Sequence, residues 1–291
     1  MGVATATGAS PRSPLDWHAI PWRRAHRNVR RLQARIVKAW QGGMKRKARA
    51  LQFILTRSQS GRAVAVKRVT ENHGRRTPGV DGVIWHTPAQ KAAAVAELRH
   101  RDYHPQPLRR VYIPKRDGRR RGLSIPTMKD RAMQALHWLA LDPIAETTAD
   151  PNSYGFRQGR STADAISQCY GDLAKRSSAQ WVLEADIKAC FDELSHPWML
   201  THLPMDRGTL RKWLKAGYVE QDGWQPTATG APQGGIISPA LCNLTLDGLE
   251  RALQERFTPT EKIGKRNQVH LVRYADDGAP RRRGKEAAMV T

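Results

Sequence analysis

The residues best suited to chemistry are carboxylates at the ends of two strand-like segments. Asp186 follows Trp-Val-Leu-Glu-Ala, and Asp276 and Asp277 follow Leu-Val-Arg-Tyr-Ala. Adjacent aspartates at a strand turn repel one another unless a cation lies between them. Magnesium takes a few carboxylate oxygens and fills its other positions with water and substrate phosphate, so three aspartates and a nucleoside triphosphate suit it. Two such ions, about 3.5–4 Å apart, would clamp the attacking and leaving oxygens of an in-line phosphoryl displacement. Spacing alone leaves a second reading open, in which Asp186 caps a helix and the Asp276-Asp277 pair only makes a turn.

Those carboxylates need elements to bring them together. Residues 181–187 alternate as a strand, with Trp181, Leu183, Ala185 and Ile187 on one face and Val182, Glu184 and Asp186 on the other. His270 to Tyr274 is a second short strand. Between them, Cys242, Leu246, Leu249, Leu253 and Phe257 define one amphipathic helix. A helix capped by Asp130 carries Met133, Leu136 and Ala140 and is expected to end at Pro143. Another starts at a capping box of Ser161 and Asp164, with Ile166, Cys169, Tyr170 and Leu173 as its expected buried stripe. Residues 109–126 predict a hairpin, strands at Val111 to Ile113 and Leu123 to Ile125, whose turn at Asp117-Gly118 carries five Lys and Arg residues. Before it, residues 71–85 form a turn-rich loop.

The chain has 291 residues, with 49 Lys and Arg against 26 Asp and Glu, a net charge of +23. Such an excess calls for an anionic partner, and nucleic acid is favoured over a membrane surface. The longest alanine-rich stretch, Ala92 to Leu98, is far short of the roughly 18 apolar residues that span a bilayer. One helical face carries Val29, Leu32, Ile36 and Trp40, while Arg30, Arg31, Arg35 and Lys38 occupy much of the rest. That surface suits a phosphate backbone, or it is simply solvated. Cys169, Cys190 and Cys242 are odd in number and far apart in sequence, so they read as core hydrophobes in a reducing cytoplasm.

Four blocks in fixed order carry a resemblance: NSYGFRQGRSTADAI (152–166), ADIKACFDELSH (185–196), APQGGIISPALCNLTLDGLE (231–250) and YADD (274–277). Together with TPGVDG upstream, they resemble the group II intron-encoded reverse transcriptase/maturase family. The resemblance runs from about Trp17 to Asp277. It implies an α+β fold of reverse-transcriptase fingers and palm, a small antiparallel sheet backed by helices, with a helical basic N-terminal region. It implies RNA-directed DNA polymerisation with two Mg2+ ions, acting on an RNA template, intron RNA, primer DNA and deoxynucleoside triphosphates, at a cytoplasmic, nucleic-acid-associated location. By the same resemblance, Asp186 and Asp276 hold both ions, Asp277 is the third carboxylate, and Ile187 offers its carbonyl. Phe191 matches the steric gate against a ribose 2′-hydroxyl. Lys115 and Arg121 match cations that grip the triphosphate, Gln233 and Gly234 line the nucleotide pocket, and Tyr154, Phe156 and Arg157 support the template or pack internally.

The expected organisation is a disordered tail at 1–15, an N-terminal basic region at 16–100, fingers and partial palm at 101–277, and an aberrant basic tail at 278–291, with thumb and maturase regions absent. Pro280 and three arginines in Gly278 to Gly284 suit no buried strand, so the hairpin after YADD is expected to be incomplete and the chain weak or inactive alone. Ala189 stands where the family usually has Gly. The rival function is a non-catalytic RNA-binding fragment of a degenerate mobile element.

Overall fold

The computed structural model describes residues 15–114, 118, 120–175, 178, 181–221, 223–257 and 269–282, the last six through their backbone. Three helices open the chain: α1 (Trp22–Gln41), α2 (Lys45–Arg57) and α3 (Gln59–Glu71). On α1 the expected face is inward. Val29 and Ile36 are buried, Leu32 and Trp40 pack against them, and Arg30, Arg31, Arg35 and Lys38 are exposed.

After the loop at 72–87 and α4 (Pro88–Glu97) come β1 (Leu108–Pro114) and β2 (Arg120–Ile125). They pair antiparallel with Val111 opposite Leu123, as the pattern predicts, and are longer than the predicted strands. Asp117 of the expected turn lies outside the described residues. The next element, α5 (Met128–Thr148), is buried almost all round and forms the centre of the molecule. Met133, Leu136 and Ala140 are all core residues.

Two expectations for α5 fail. Its cap is Thr127, whose side chain accepts from the Asp130 N–H, while Asp130 sits a turn in and accepts from the Tyr103 hydroxyl at 2.7 Å. Pro143 does not end the helix. A proline removes the N–H that would bond the carbonyl four residues back, and that carbonyl, Leu139 O, accepts instead from the Gln33 amide of α1 at 2.9 Å. Tertiary packing supplies the missing donor, so the helix continues.

α6 (Thr162–Leu173) begins at the expected capping box. Its inward face differs. Ala165 and Cys169 meet Tyr154 and Val272, whereas Ile166, Tyr170 and Leu173 are 67%, 74% and 40% exposed. The helix docks through its small residues, which turns the larger apolar stripe outward. The expected strand at 181–187 is broken into β3 (Trp181–Val182) and β4 (Ala185–Asp186).

Short helices α7 (Cys190–Glu193), α8 (His196–His202) and α9 (Arg207–Leu214) lead to β5 (Tyr218–Glu220) and β6 (Gly223–Gln225). The helix expected across 242–257 is two, α10 (Ser238–Leu246) and α11 (Leu249–Phe257). Gly248 has φ +100°, and the Asp150 carboxylate accepts from the Gly248 N–H at 3.0 Å and the Glu250 N–H at 3.3 Å. A left-handed residue and a buried acceptor for the new N-terminus make this break.

β7 (His270–Tyr274) and β8 (Asp277–Arg282) complete the described chain. The fold is α+β with two small sheets. One runs β2-β1-β5-β6 and contains a parallel β1–β5 pair; the other is antiparallel, with β8 flanked by β7 on one side and by β3 and β4 on the other. The hairpin after YADD therefore closes, contrary to expectation. Pro280 faces Leu271 on β7, and its other side falls where Leu183 and Glu184 interrupt the strand between β3 and β4. A residue with no N–H fits the gap.

Candidate active site

The Tyr274–Asp277 pair closes a two-residue turn from β7 to β8, with Ala275 and Asp276 at its centre. Ala275 has φ +61°, the sign that a type II′ hairpin requires at this position and that a Cβ disfavours. It is held there. The Arg273 guanidinium donates to the Ala275 carbonyl at 3.2 Å, to Asn243 Oδ1 at 3.0 Å and to Asp247 Oδ1 at 2.9 Å. Asn243 in turn donates to the Gly155 carbonyl, and Gly155 lies so close that a Cβ would strike the Ala275 backbone nitrogen.

Against this turn lies β4. Asp186 pairs with Asp277 across the β4–β8 ladder, and the Ile187 N–H donates to the Asp276 carbonyl at 3.3 Å. The two strand ends separated in sequence are thus joined backbone to backbone. Asp186 is exposed and Asp276 partly exposed, so both carboxylates are open to a hydrated ion. Their oxygens, with the Ile187 carbonyl, are the hard donors that Mg2+ accepts. Among the described residues no group of three or more His, Cys, Asp or Glu side chains gathers as a metal site. The Asp277 side chain lies outside what is described, as does Lys115.

Beneath β4, Ala189 adopts φ +52°, which accounts for a preference for glycine there. Phe191 is buried and meets Phe156 edge to face, ring centroids 5.9 Å apart. Cys190 and Cys242, distant in sequence, touch at 3.4 Å between sulfurs. That contact lowers the Cys190 thiol pKa, burial opposes the shift, and the charges of Asp276 and Asp186 both reach it and act against ionisation.

A second group of expected residues also converges. Arg121 on β2 donates through Nε to Gln233 Oε1 at 2.8 Å, and the Gln233 amide lies 3.3 Å from the Asp192 carboxylate. The Gln233 carbonyl accepts from the Ser124 N–H, and a Cβ on Gly234, at φ +115°, would lie 2.6 Å from the Ser124 carbonyl. Gly234 thus lets the 231–236 loop dock on the finger hairpin. Asp192 was missed by sequence reasoning, although it stands next to Phe191. So was Arg273, whose signal was a cation inside an apolar strand.

Other expected residues are elsewhere. Arg157 forms an ion pair with Glu146 at 2.8 Å with its side chain 5% exposed, and Tyr154 is buried, so both act as internal supports. The α1 cations Arg30, Arg31, Arg35 and Lys38 stand on the outer face of the N-terminal helices. No helix among the described residues is long and apolar enough to cross a membrane.

Residues 17–98 match the N-terminal domain of reverse transcriptase, and residues 113–287 match the reverse transcriptase (RNA-dependent DNA polymerase) family. The chain belongs to the reverse transcriptase family. Over 209 residues it is 35% identical to protein YkfC of Escherichia coli K12, covering 67% of this chain and 55% of YkfC. Over 197 residues it is 32% identical to the group II intron-encoded protein LtrA of Lactococcus lactis, 65% of this chain and 32% of LtrA. A 91 kDa protein in the cob intron of Schizosaccharomyces pombe is 31% identical over 166 residues, 55% of this chain and 20% of that protein. This reverse transcriptase is of the group II intron-encoded kind, and it spans about half or less of these relatives' lengths.

Proposed function

We propose that the chain extends the 3′-hydroxyl of a DNA primer with deoxynucleoside triphosphates along an RNA template, in the manner of a group II intron reverse transcriptase. The observation that carries this is the backbone junction of Asp186 and Ile187 with Asp276 and Asp277. Asp186, Asp276, Asp277 and the Ile187 carbonyl would hold two Mg2+ ions, which when bound supply Lewis-acid stabilisation of the attacking and leaving oxygens. Arg121, steered by Gln233, presents its cation to the triphosphate, and Lys115 joins it. Gly234 keeps the pocket floor close to β2. Phe191 crowds a 2′-hydroxyl and so favours deoxynucleotides.

Arg30, Arg31, Arg35 and Lys38 offer a surface for RNA phosphates, intron RNA included, which supports an accompanying role in splicing. We place the protein with its nucleic acid in the cytoplasm. The test is primer extension on an RNA template with Mg2+, parent against Asp276→Ala, alongside RNA binding at several salt concentrations. Extension by the parent and its loss in Asp276→Ala support the reading. Salt-dependent RNA binding with no extension by either protein makes the chain a non-catalytic RNA binder instead.

A further inference from the structure

Away from the aspartates, α2, the turn after α4, α5 and the start of α9 enclose a cleft of about 660 Å³ lined by Arg49, Phe53, Arg57, His100, His137 and Lys212 among others. Through Arg57 and His100 it continues into a hollow of about 470 Å³ that adds Arg62, Arg99 and Arg101. These volumes are in the range of about 300–1,000 Å³ typical of ligand pockets. His100 and His137 meet through their Nε2 atoms at 3.0 Å in its wall.

The cations here are unbalanced. Among the described residues no carboxylate forms an ion pair with Arg49, Arg57, Arg62 or Arg99. Asp206, the carboxylate that lines the cleft, accepts from the Thr209 N–H at 2.8 Å to cap α9. Arg62 Nε is buried with no hydrogen-bond partner. Burial and then Arg99 hold the Arg62 pKa down, and burial and then Arg57 do the same to His100. Like charges around a concavity raise the energy of the folded protein, and an anion lying among them relieves it.

Phe53 gives the anion a second property. It is 56% exposed on α2, with the Arg57 guanidinium 3.4 Å from its ring centroid. An open aromatic-arginine pair beside cations that no carboxylate neutralises is the platform on which unstacked bases lie while their phosphates meet the charge. A free phosphate would leave Phe53 unused, and a duplex keeps its base faces stacked.

We propose that this cleft holds a single-stranded RNA segment, with phosphates over Arg49, Arg57, Arg62 and Arg99 and a base against Phe53. The site is separate from the α1 surface and from the aspartates, and the inference rests on the reading that the protein engages RNA.

The experiment titrates the full chain against a fluorescein-labelled unstructured RNA oligomer over a range of salt, comparing the parent with Arg57→Gln/Arg99→Gln and with Phe53→Ala, each checked for an unchanged thermal transition. The double variant should bind more weakly and lose about 1.4 from the slope of log affinity against log salt, from about 0.7 per phosphate contact on a single strand. Phe53→Ala should weaken binding about tenfold with the slope unchanged. Photocrosslinks from 4-thiouridine in the oligomer should map to residues 49–57 or 99–103. Parental affinity and slope in both variants, or crosslinks confined elsewhere, overturn the inference, as does competition by AMP or tripolyphosphate at the oligomer's own affinity. Primer extension on the same preparations keeps the two readings apart, since a cleft that binds RNA in a protein without extension refutes polymerisation alone.

Discussion

Arg273 donates to Asp247 across 2.9 Å, with the two side chains 2% and 8% exposed. The pair joins the strand that leads into YADD to the residue that follows α10. Burial outweighs the guanidinium and pushes the Asp247 carboxyl up to about 6, so this contact fixes geometry at an electrostatic cost. Arg273→Ala takes the guanidinium from Asp247 and Asn243, leaves Asp247 with the backbone N–H of Asp150, and frees the Ala275 carbonyl. We expect a loss of about 3–5 kcal/mol in urea unfolding. A loss under 1 kcal/mol would mean that the turn is held by other contacts.

The Gln33 bond to Leu139 O predicts a coupling. Gln33→Ala should cost about 1–2 kcal/mol, because the carbonyl freed by Pro143 is left without a donor. In a Pro143→Ala background residue 143 regains an N–H for that carbonyl, and the same Gln33→Ala change should cost much less. A double-mutant cycle by chemical denaturation reads the difference. Equal costs in both backgrounds refute the compensation.

Asp142 on α5 predicts an unusual pH response. Burial first, and then Glu146, push its carboxyl up to about 6, with Arg68 opposing, and its Oδ1 is buried without a partner. A folded value above the unfolded one means that the folded state keeps a proton the unfolded state has lost. Its penalty is thus absent below about pH 4, grows as pH rises and is complete above about pH 6. Asp142→Asn should raise stability by about 1–2 kcal/mol at pH 8, after allowing for residual solvent screening, and change little near pH 4. Urea midpoints at both pH values decide it, and an asparagine variant less stable than the parent at pH 8 is the adverse result.

These residues also show how much of the fold was legible. Local signals survived: the β1–β2 hairpin, the β7 strand, the α6 capping box and the apolar face of α1 follow from spacing and turn chemistry. Long-range compensation did not, since no local rule could say that Gln33 would stand in for the N–H of Pro143, or that Asp150 would cap a second helix at Gly248. The aspartate motifs were visible as residues, while their junction depends on β8, which Pro280 and its arginines disguised. Periodicity named the apolar stripe of α6, yet the helix docks through Ala165 and Cys169. Strands β5 and β6 and helices α7 to α9 are too short for a period to emerge.

The Phe191 ring, as a gate against the 2′-hydroxyl, predicts a change in sugar selection. Phe191→Val should raise ribonucleotide incorporation relative to deoxynucleotide by about tenfold or more, a contact-sized discrimination. Phe156→Leu, which removes the edge-on partner of the ring, should leave that ratio near the parent's. Single-nucleotide extension with paired dNTP and rNTP measures both. An unchanged ratio in Phe191→Val makes the ring a core residue only.

Gly155 makes the most stringent demand on the turn that carries Asp276. A Cβ there would enter the Ala275 backbone nitrogen and come within 2.9 Å of the Ala275 Cβ. Backbone cannot yield as a flexible side chain does, so Gly155→Ala must displace either the 152–157 segment or the turn itself. Displacing the segment strains the Asn243 bond to the Gly155 carbonyl, while displacing the turn moves Asp276 relative to Asp186. We expect a stability loss of about 1–3 kcal/mol from overpacking, with primer extension falling further than the unfolded fraction accounts for. Ala275→Gly is the matched control, since it relieves φ +61° without adding an atom, and it should be neutral or slightly stabilising. If Gly155→Ala melts and extends like the parent, the close approach is absent in solution and the turn is not held from that side.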